Sequence, residues 1–285
     1  MEKQLTCQFT GRLGNQLFET AATKKLALDY GYEFIGMIKE HTTWDADAYI
    51  QKTVLRNVNI IDSVENQQEW IIYPKENRNE YQFNKNFVDI PQNANKVILN
   101  SYFQKSKYID EKIAFDLFKP YDSIKEEIKK TYGDLSDTVA VHIRRGDYVN
   151  LNWTVWTPDK IKQCIKEHFP NDKILIISDD LNWCKERFKE DQYSFADKPC
   201  THPIEMDLYL QTQCRDNIVS NSTFSWWGAY LNENKDKKII YPNYWIRGLP
   251  NNGLDIIPKD ERWIPFDVQN VTKPRNLSMY SFYNY

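Results

Sequence analysis

The chain has 285 residues, and its 37 Lys and Arg stand against 40 Asp and Glu, a formal net charge of −3. That length fits one large domain or two small ones with a real hydrophobic core. The charge balance excludes a general nucleic-acid binder, which carries a basic excess, so any anion site must be local.

The first half opens as strand, turn and helix. LTCQFT (5–10) reads as a strand and GRLGNQ (11–16) as the turn. A helix follows from about Asn15 to Tyr30, its apolar face built by Leu17, Phe18, Ala21, Ala22, Leu26 and Leu28, and Gly31 is its stop. YEFIGMI and KVILNSYF are further strands, and two helices are expected at about 107–118 and 122–132. The second half alternates more regularly. TVAVHI (138–143), KILIIS (173–178), NIVSN (217–221) and KKIIYP are strands, the last clear one being KKIIYP. Helices are expected from Thr157-Pro158, over about 181–189, from His202-Pro203 to Cys214, and over TFSWWGAYLNEN. Continuous apolar strands alternating with helices predict an α/β fold with a parallel, doubly wound sheet. The Gly133-Asp134 turn marks a boundary, giving units at 1–134 and 135–265 and a tail at 266–285.

The five cysteines are odd in number, and none has zinc-binding spacing. They read as reduced thiols of a cytoplasmic protein. The amino-terminal MEKQLTCQFT lacks the apolar stretch of a signal peptide, and no run approaches the roughly twenty apolar residues of a membrane span. Aromatic residues are 14% of the chain, with nine Trp and eighteen Tyr. Most serve as core and surface; flat apolar rings also suit the faces of sugars.

In an open parallel sheet, ligands bind beyond the carboxyl ends of the strands. Three such ends are polar here: His142-Ile-Arg144-Arg145-Gly-Asp147, Ser178-Asp179-Asp180, and Ser220-Asn-Ser222-Thr223-Phe-Ser225. Alternation along the strand puts His142 and Arg144 on one face, while Arg145 points away or leaves through the turn. A guanidinium fork suits phosphate oxygens. The helix start after Asn221 offers unpaired backbone N–H groups and hydroxyls to an anion. A carboxylate at Asp179 suits the adjacent N–H donors of guanine. Each piece also has a plain structural use. An Arg pair beside Asp forms ion pairs, SDD caps the next helix, NSTFS caps WWGAYL, and a lone His is commonly a hydrogen-bonded core residue. Their convergence on one sheet edge favours a site for a guanosine diphosphate group.

The stretches GRLGNQLFE (11–19), VAVHIRRGDYV (139–149), IISDD (176–180) and DLYLQTQCRDNIVSNSTFSWWGAYLN (207–232) are collinear with a known pattern. The chain resembles the α-1,2-fucosyltransferases of glycosyltransferase family 11. The resemblance implies a GT-B architecture, two Rossmann-like domains facing a cleft, the second holding GDP-β-L-fucose. It implies inverting transfer to the 2-hydroxyl of a terminal galactose, on an oligosaccharide or a glycolipid-linked glycan, with no metal or other cofactor. By residue, His142 and Arg144 are expected on the nucleotide, with Arg144 on the diphosphate and Arg145 in support. Asp179, with Asp180, is expected to read guanine. Ser222, Thr223 and Ser225 are expected to bind phosphate through hydroxyls and amides. Arg12 and Asn15 resemble a turn placed across the cleft near sugar and acceptor; a plain connection made tight by Gly11 and Gly14 is the alternative. Arg144, Asp147, Asn15 and Arg12 form the catalytic set. Asp147 is the nearest carboxylate for a base, with Glu205 and Asp207 as weaker candidates. After RRGDYV the family often has a longer segment leading to paired tyrosines; here NLNWTVWTPDK is short and carries Trp, which leaves acceptor preference open.

Three rival readings come from the same residues, one being a transferase of the same fold that uses another GDP-sugar or another acceptor linkage. Asp45-Ala46-Asp47 is a DxD of the kind that holds a divalent ion on a diphosphate, although no apolar strand precedes it. The aromatic content alone would fit a carbohydrate-binding protein without catalysis, which leaves the Arg pair and SDD unexplained.

Overall fold

The computed structural model describes residues 3–39, 53–73, 90, 93–245 and 250–268. Its first sheet contains β1 (Gln4–Gln8), β2 (Glu33–Ile38), β3 (Ile60–Ile61), β4 (Ile71–Tyr73) and β5 (Lys96–Leu99), in the order β3-β2-β1-β5-β4. The second contains β6 (Thr138–Ile143), β7 (Lys173–Ser178), β8 (Tyr193–Phe195), β9 (Asp216–Ile218), β10 (Ile239–Pro242) and β11 (Trp263–Phe266), in the order β11-β10-β9-β6-β7-β8. Every pairing is parallel. The α/β parallel architecture expected from the strand and helix alternation is therefore present.

The helices relevant below are α1 (Leu13–Tyr30), α2 (Glu111–Phe118), α3 (Asp122–Tyr132), α4 (Gly146–Asn150), α5 (Pro158–His168), α6 (Leu181–Arg187), α7 (Pro203–Gln213) and α8 (Thr223–Tyr230). α1 stops where expected. Gly31 takes the left-handed conformation, φ 69°, and its N–H bonds to Ala27 O and Leu28 O. Thr157 caps α5 by accepting from the Lys160 amide, with Pro158 in the first turn. The expected turn at Gly146 is instead a short helix, α4. The last strand among the described residues is β11, beyond KKIIYP, and it pairs with β10. Pro265 sits in it because an edge strand needs no N–H on its open side. The expected tail therefore begins on a sheet strand at Phe266; residues 269–285 and the Asp45-Ala46-Asp47 motif lie outside the described residues.

One buried cluster runs from Leu5 and Phe18 to Trp226 and Trp263, drawing on both sheets. Its seam is α1 against α8. Phe18 lies 4.6 Å from Trp226 and 5.1 Å from Trp227, centroid to centroid, and Trp227 Nε1 donates to Gly14 O at 3.1 Å. This seam matters for function because it fixes the GRLGN turn against the first turn of α8. Among the described residues, no helix is long and apolar enough to cross a membrane.

Candidate functional site

The parallel register levels the strand ends. His142 pairs with Ile177 and Ile143 with Ser178, while Val141 pairs with Ile218. The three polar ends thus leave one edge of the second sheet side by side. His142 is buried, and its Nδ1 lies 2.8 Å from Ser220 Oγ. Burial, with Arg144 adding repulsion, pushes its pKa down to about 3, so the ring is neutral at physiological pH. His142 is therefore the hydrogen-bonded core residue of the plain structural reading, and it supports the site from beneath.

Arg144 is drawn into the centre of the edge. Its side chain is 15% exposed. Nη1 donates to Asp179 Oδ2 at 2.5 Å and Nη2 to Asp147 Oδ1 at 2.5 Å. The Tyr148 ring lies beneath it, 5.2 Å from the guanidinium carbon. Asp179 completes the frame by accepting from the Arg145 amide at 2.8 Å. Gly146 makes this approach feasible, since a Cβ there would stand 2.6 Å from Asp179 Oδ2. Arg145 turns back onto the second sheet. Its Nε donates to Asp180 Oδ2 at 2.9 Å, and its guanidinium stacks on Trp183 at 3.6 Å. Asp180 also accepts from the Trp183 amide and so caps α6. Its pKa is lowered, first by the hydrogen bond from Arg145. Arg145, Asp180 and Trp183 thus form the support of the loop that carries Arg144.

The third strand end supplies the opposite wall. Ser222 is the N-cap of α8 and makes no side-chain capping bond, and the first amides of a helix have no partner within it. The Ser225 hydroxyl is buried and bonded to Ser220 O and Ser222 O. Ser225 is fully buried, so its hydroxyl holds the turn together and is not presented to a phosphate. Asn221 Nδ2 donates to Trp153 O and Trp245 O, which anchors the short Trp-bearing segment beside the site.

The GRLGN turn of the first sheet closes over this wall. A Cβ on Gly14 would meet Thr223 Oγ1 at 2.5 Å and the Phe224 amide nitrogen at 2.6 Å. Thr223 Oγ1 donates to Asn15 Oδ1 at 3.0 Å, and Gln104 Nε2 donates to the same oxygen at 2.9 Å. Arg12 Nη2 lies 3.9 Å from Asp147 Oδ2. Residues of GRLGNQ, HIRRGD, SDD and NSTFS therefore meet at one place, although 208 positions separate Asn15 from Thr223.

The two weaker base candidates separate here. Glu205 is fully buried and accepts from Thr53 Oγ1 at 2.7 Å and Tyr121 Oη at 2.6 Å. It ties α7 to the first half and has no path to an acceptor. Asp207 makes no side-chain hydrogen bond to a described residue. Burial, then the negative charge of Asp179, pushes its carboxyl up to about 7. Gln104, Tyr148 and Trp183 were not anticipated. Gln104 and Trp183 carry no motif of their own and join the site only through tertiary contacts. Among the described residues, no cluster of three His, Cys, Asp or Glu side chains is placed to hold a metal ion.

The model of glycosyl transferase family 11 matches residues 1–247. The chain belongs to this family. Among curated family 11 relatives, the O-antigen biosynthesis glycosyltransferase WbnK of Escherichia coli is 31% identical over 177 residues, 55% of this chain and 58% of that protein. The alpha-1,2-colitosyltransferase of Escherichia coli is 35% identical, over 45% of this chain and 47% of that one. The galactoside 2-alpha-L-fucosyltransferase Sec1 of Mus musculus is 27% identical, over 40% and 36%. The chain thus spans between about a third and three-fifths of these relatives' lengths. Solved structures share the fold. NodZ alpha-1,6-fucosyltransferase soaked with GDP-fucose superposes with a TM-score of 0.53 at 13% identity, covering 81% of this chain and 93% of that one. POFUT1 in complex with GDP gives 0.50 at 14% identity, covering 81% and 94%. The family 11 chain therefore has the GT-B-like architecture of these fucosyltransferases.

Proposed function

We propose that the protein transfers L-fucose from GDP-β-L-fucose to the 2-hydroxyl of a terminal galactose, with inversion and without a metal. The observation that carries this reading is that the GRLGN turn joins both walls, reaching Arg144 through Arg12 and Asp147 and the start of α8 through Asn15 and Thr223. In an inverting transfer the acceptor hydroxyl attacks C1 as the C1–O bond to the diphosphate breaks, through an oxocarbenium-like state. Negative charge builds on the leaving β-phosphate. Arg144 and the amides of Thr223 and Phe224 stabilise it from fixed positions. Asp147 faces Arg144 with one oxygen and Arg12 with the other. We assign it to orienting both guanidiniums. With diphosphate as leaving group, the acceptor proton passes to the phosphate or to water, and no side chain is given the role of base.

The guanine assignment moves from Asp179 to Asp207 in this reading. Both Asp179 oxygens accept from Arg144 and Arg145, whereas the half-buried Asp207 carboxyl makes no side-chain hydrogen bond to a described residue. A carboxylate is needed to accept from two base N–H groups, and Asp207 holds its proton up to about pH 7. Below that pH, binding requires proton loss. GDP affinity is therefore expected to be flat above about pH 7 and to fall by up to about tenfold per unit below it. Titration calorimetry across pH 5.5–8.5 checks this, and Asp207→Asn should bind more weakly and with a shallower slope, the remainder coming from the terminal phosphate of GDP, which titrates at about pH 6.

The galactoside 2-alpha-L-fucosyltransferases among the relatives support the acceptor and linkage. The alpha-1,2-colitosyltransferase supports a second reading, the same linkage with another deoxysugar donor. Incubation in EDTA with GDP-fucose or a colitosyl donor, and a panel of galactose-terminated glycans, separates them. Linkage analysis should find fucose α-1,2 to galactose. Transfer only from the colitosyl donor would favour the second reading, and loss of activity in EDTA would overturn the metal-free mechanism.

A further inference from the structure

Gln104 lies in the buried segment Ser101–Lys105, which follows β5. Phe103, just before it, has φ 51°, a left-handed conformation rare for a bulky residue. Such backbone outliers persist where their surroundings fix them, and they cluster at ligand sites. The surroundings here are specific. The Lys105 amide bonds back to Phe103 O at 2.7 Å, Lys105 Nζ pairs with Asp255 at 3.4 Å, and the Phe103 ring packs edge-on to Tyr108. The segment is held from both halves of the chain, and from it the Gln104 amide reaches Asn15.

That amide bonds to Asn15 Oδ1, the atom that also receives Thr223 Oγ1. A carboxamide oxygen has two lone pairs, and both are now used. The other end of the Asn15 amide, Nδ2, stands over Gly11, only 2.6 Å from where a Cβ would be. Gly11 has φ 75°, so its bare left-handed backbone leaves this approach open. With Oδ1 taken by both donors, the group Asn15 has left to offer a ligand is Nδ2, a donor. Turning both amides over would offer an oxygen instead.

We propose that Gln104 is a positioning residue that sets the polarity of Asn15, so that Asn15 Nδ2 donates to an oxygen of the donor's diphosphate. The inference rests on the proposed fucosyl transfer. A donor at this point suits the leaving oxygen, where electron density grows as the C1–O bond breaks. It does not suit an acceptor hydroxyl that must give up a proton. Thr223 links the two functions, because it both fixes Asn15 and opens the helix whose amides face the same diphosphate.

The test is a double-mutant cycle on the full chain with Gln104→Met, Asn15→Ala and the pair. GDP binding is measured by calorimetry, and kcat and KM with GDP-fucose. Gln104→Met, neutral and of similar length, should lower kcat at least tenfold and also weaken GDP binding several-fold, because GDP carries the leaving oxygen as a full anion. The double variant should be no slower than Asn15→Ala alone. Gln104→Glu should also be slow near neutral pH and recover as the pH falls, because a protonated carboxyl again donates to Asn15 Oδ1. Additive losses, or a Gln104→Met kcat within twofold of wild type, would overturn the positioning role while leaving fucosyl transfer intact. A wild-type protein that neither binds GDP nor consumes GDP-fucose would instead overturn the reading on which it rests.

Discussion

Replacing Arg144 with Ala should leave a folded protein whose transfer rate is lower by about 10²–10³, the usual cost of removing one fixed donor from a developing anion. The fold should survive because its carboxylate partners can hydrate. Asp147 and Asp179 keep 44% and 28% of their side chains exposed, so neither is stranded in an apolar core. Arg144 also lies beyond the end of β6, after the strand residues that fill the core. Single-turnover kinetics with GDP-fucose, beside a thermal unfolding curve, separates the two effects. Arg144→Lys should recover little, because one ammonium lacks the planar fork that reaches Asp147 and Asp179 together. A rate near wild type in Arg144→Ala would remove the residue from the chemistry.

Gly14→Ala should harm stability and turnover together. The added methyl would stand 2.5–2.7 Å from Thr223 Oγ1, the Phe224 amide nitrogen and the Thr223 carbonyl carbon. Two of these are backbone atoms, so the seam must open. Overpacking of this kind costs about 1–3 kcal/mol. The displacement also carries Asn15 away from Thr223 and turns the α8 amides from the diphosphate. The expected signature is a thermal midpoint lower by several degrees, with kcat falling further than stability explains at an assay temperature well below it. Gly31→Ala is the useful contrast. It is strained at φ 69°, yet no neighbour lies within 4 Å of its added Cβ, so it should cost stability alone.

What could be read from the sequence follows from how the sheets are built. β1, β2, β5, β6, β7, β9 and β10 each have two neighbours or carry a long apolar run, and all were evident as apolar segments. The four that were not, β3, β4, β8 and β11, are the four sheet edges. An edge strand needs only one hydrogen-bonded neighbour and can be two to four residues long, as these are. Ile60–Ile61 and Tyr193–Phe195 are too short to show a period, and Pro265 breaks the signal of β11. The site divides in the same way. The groups at the strand ends announced themselves because charge at the end of an apolar run is conspicuous. Which charges pair with which could not be read. Asp179 was expected to face a base, and its pairing with Arg144 was not legible; Arg145 was expected to point away or leave through the turn in support of Arg144, and its stacking on Trp183 was not legible. Gln104 lies 89 positions from the residue it touches, and only the seam of α1 on α8 brings the two walls together.

The central claim is that the edge between Arg144 and the start of α8 holds the diphosphate of a guanine nucleotide. Titration calorimetry with GDP and GMP tests it most directly. One charge-assisted hydrogen bond contributes about 1.5–3 kcal/mol, so GDP should bind at least about tenfold tighter than GMP, and Arg144→Ala should shrink the difference by about tenfold. Equal affinity for the two nucleotides, or a preference for GDP unchanged in Arg144→Ala, would contradict the account.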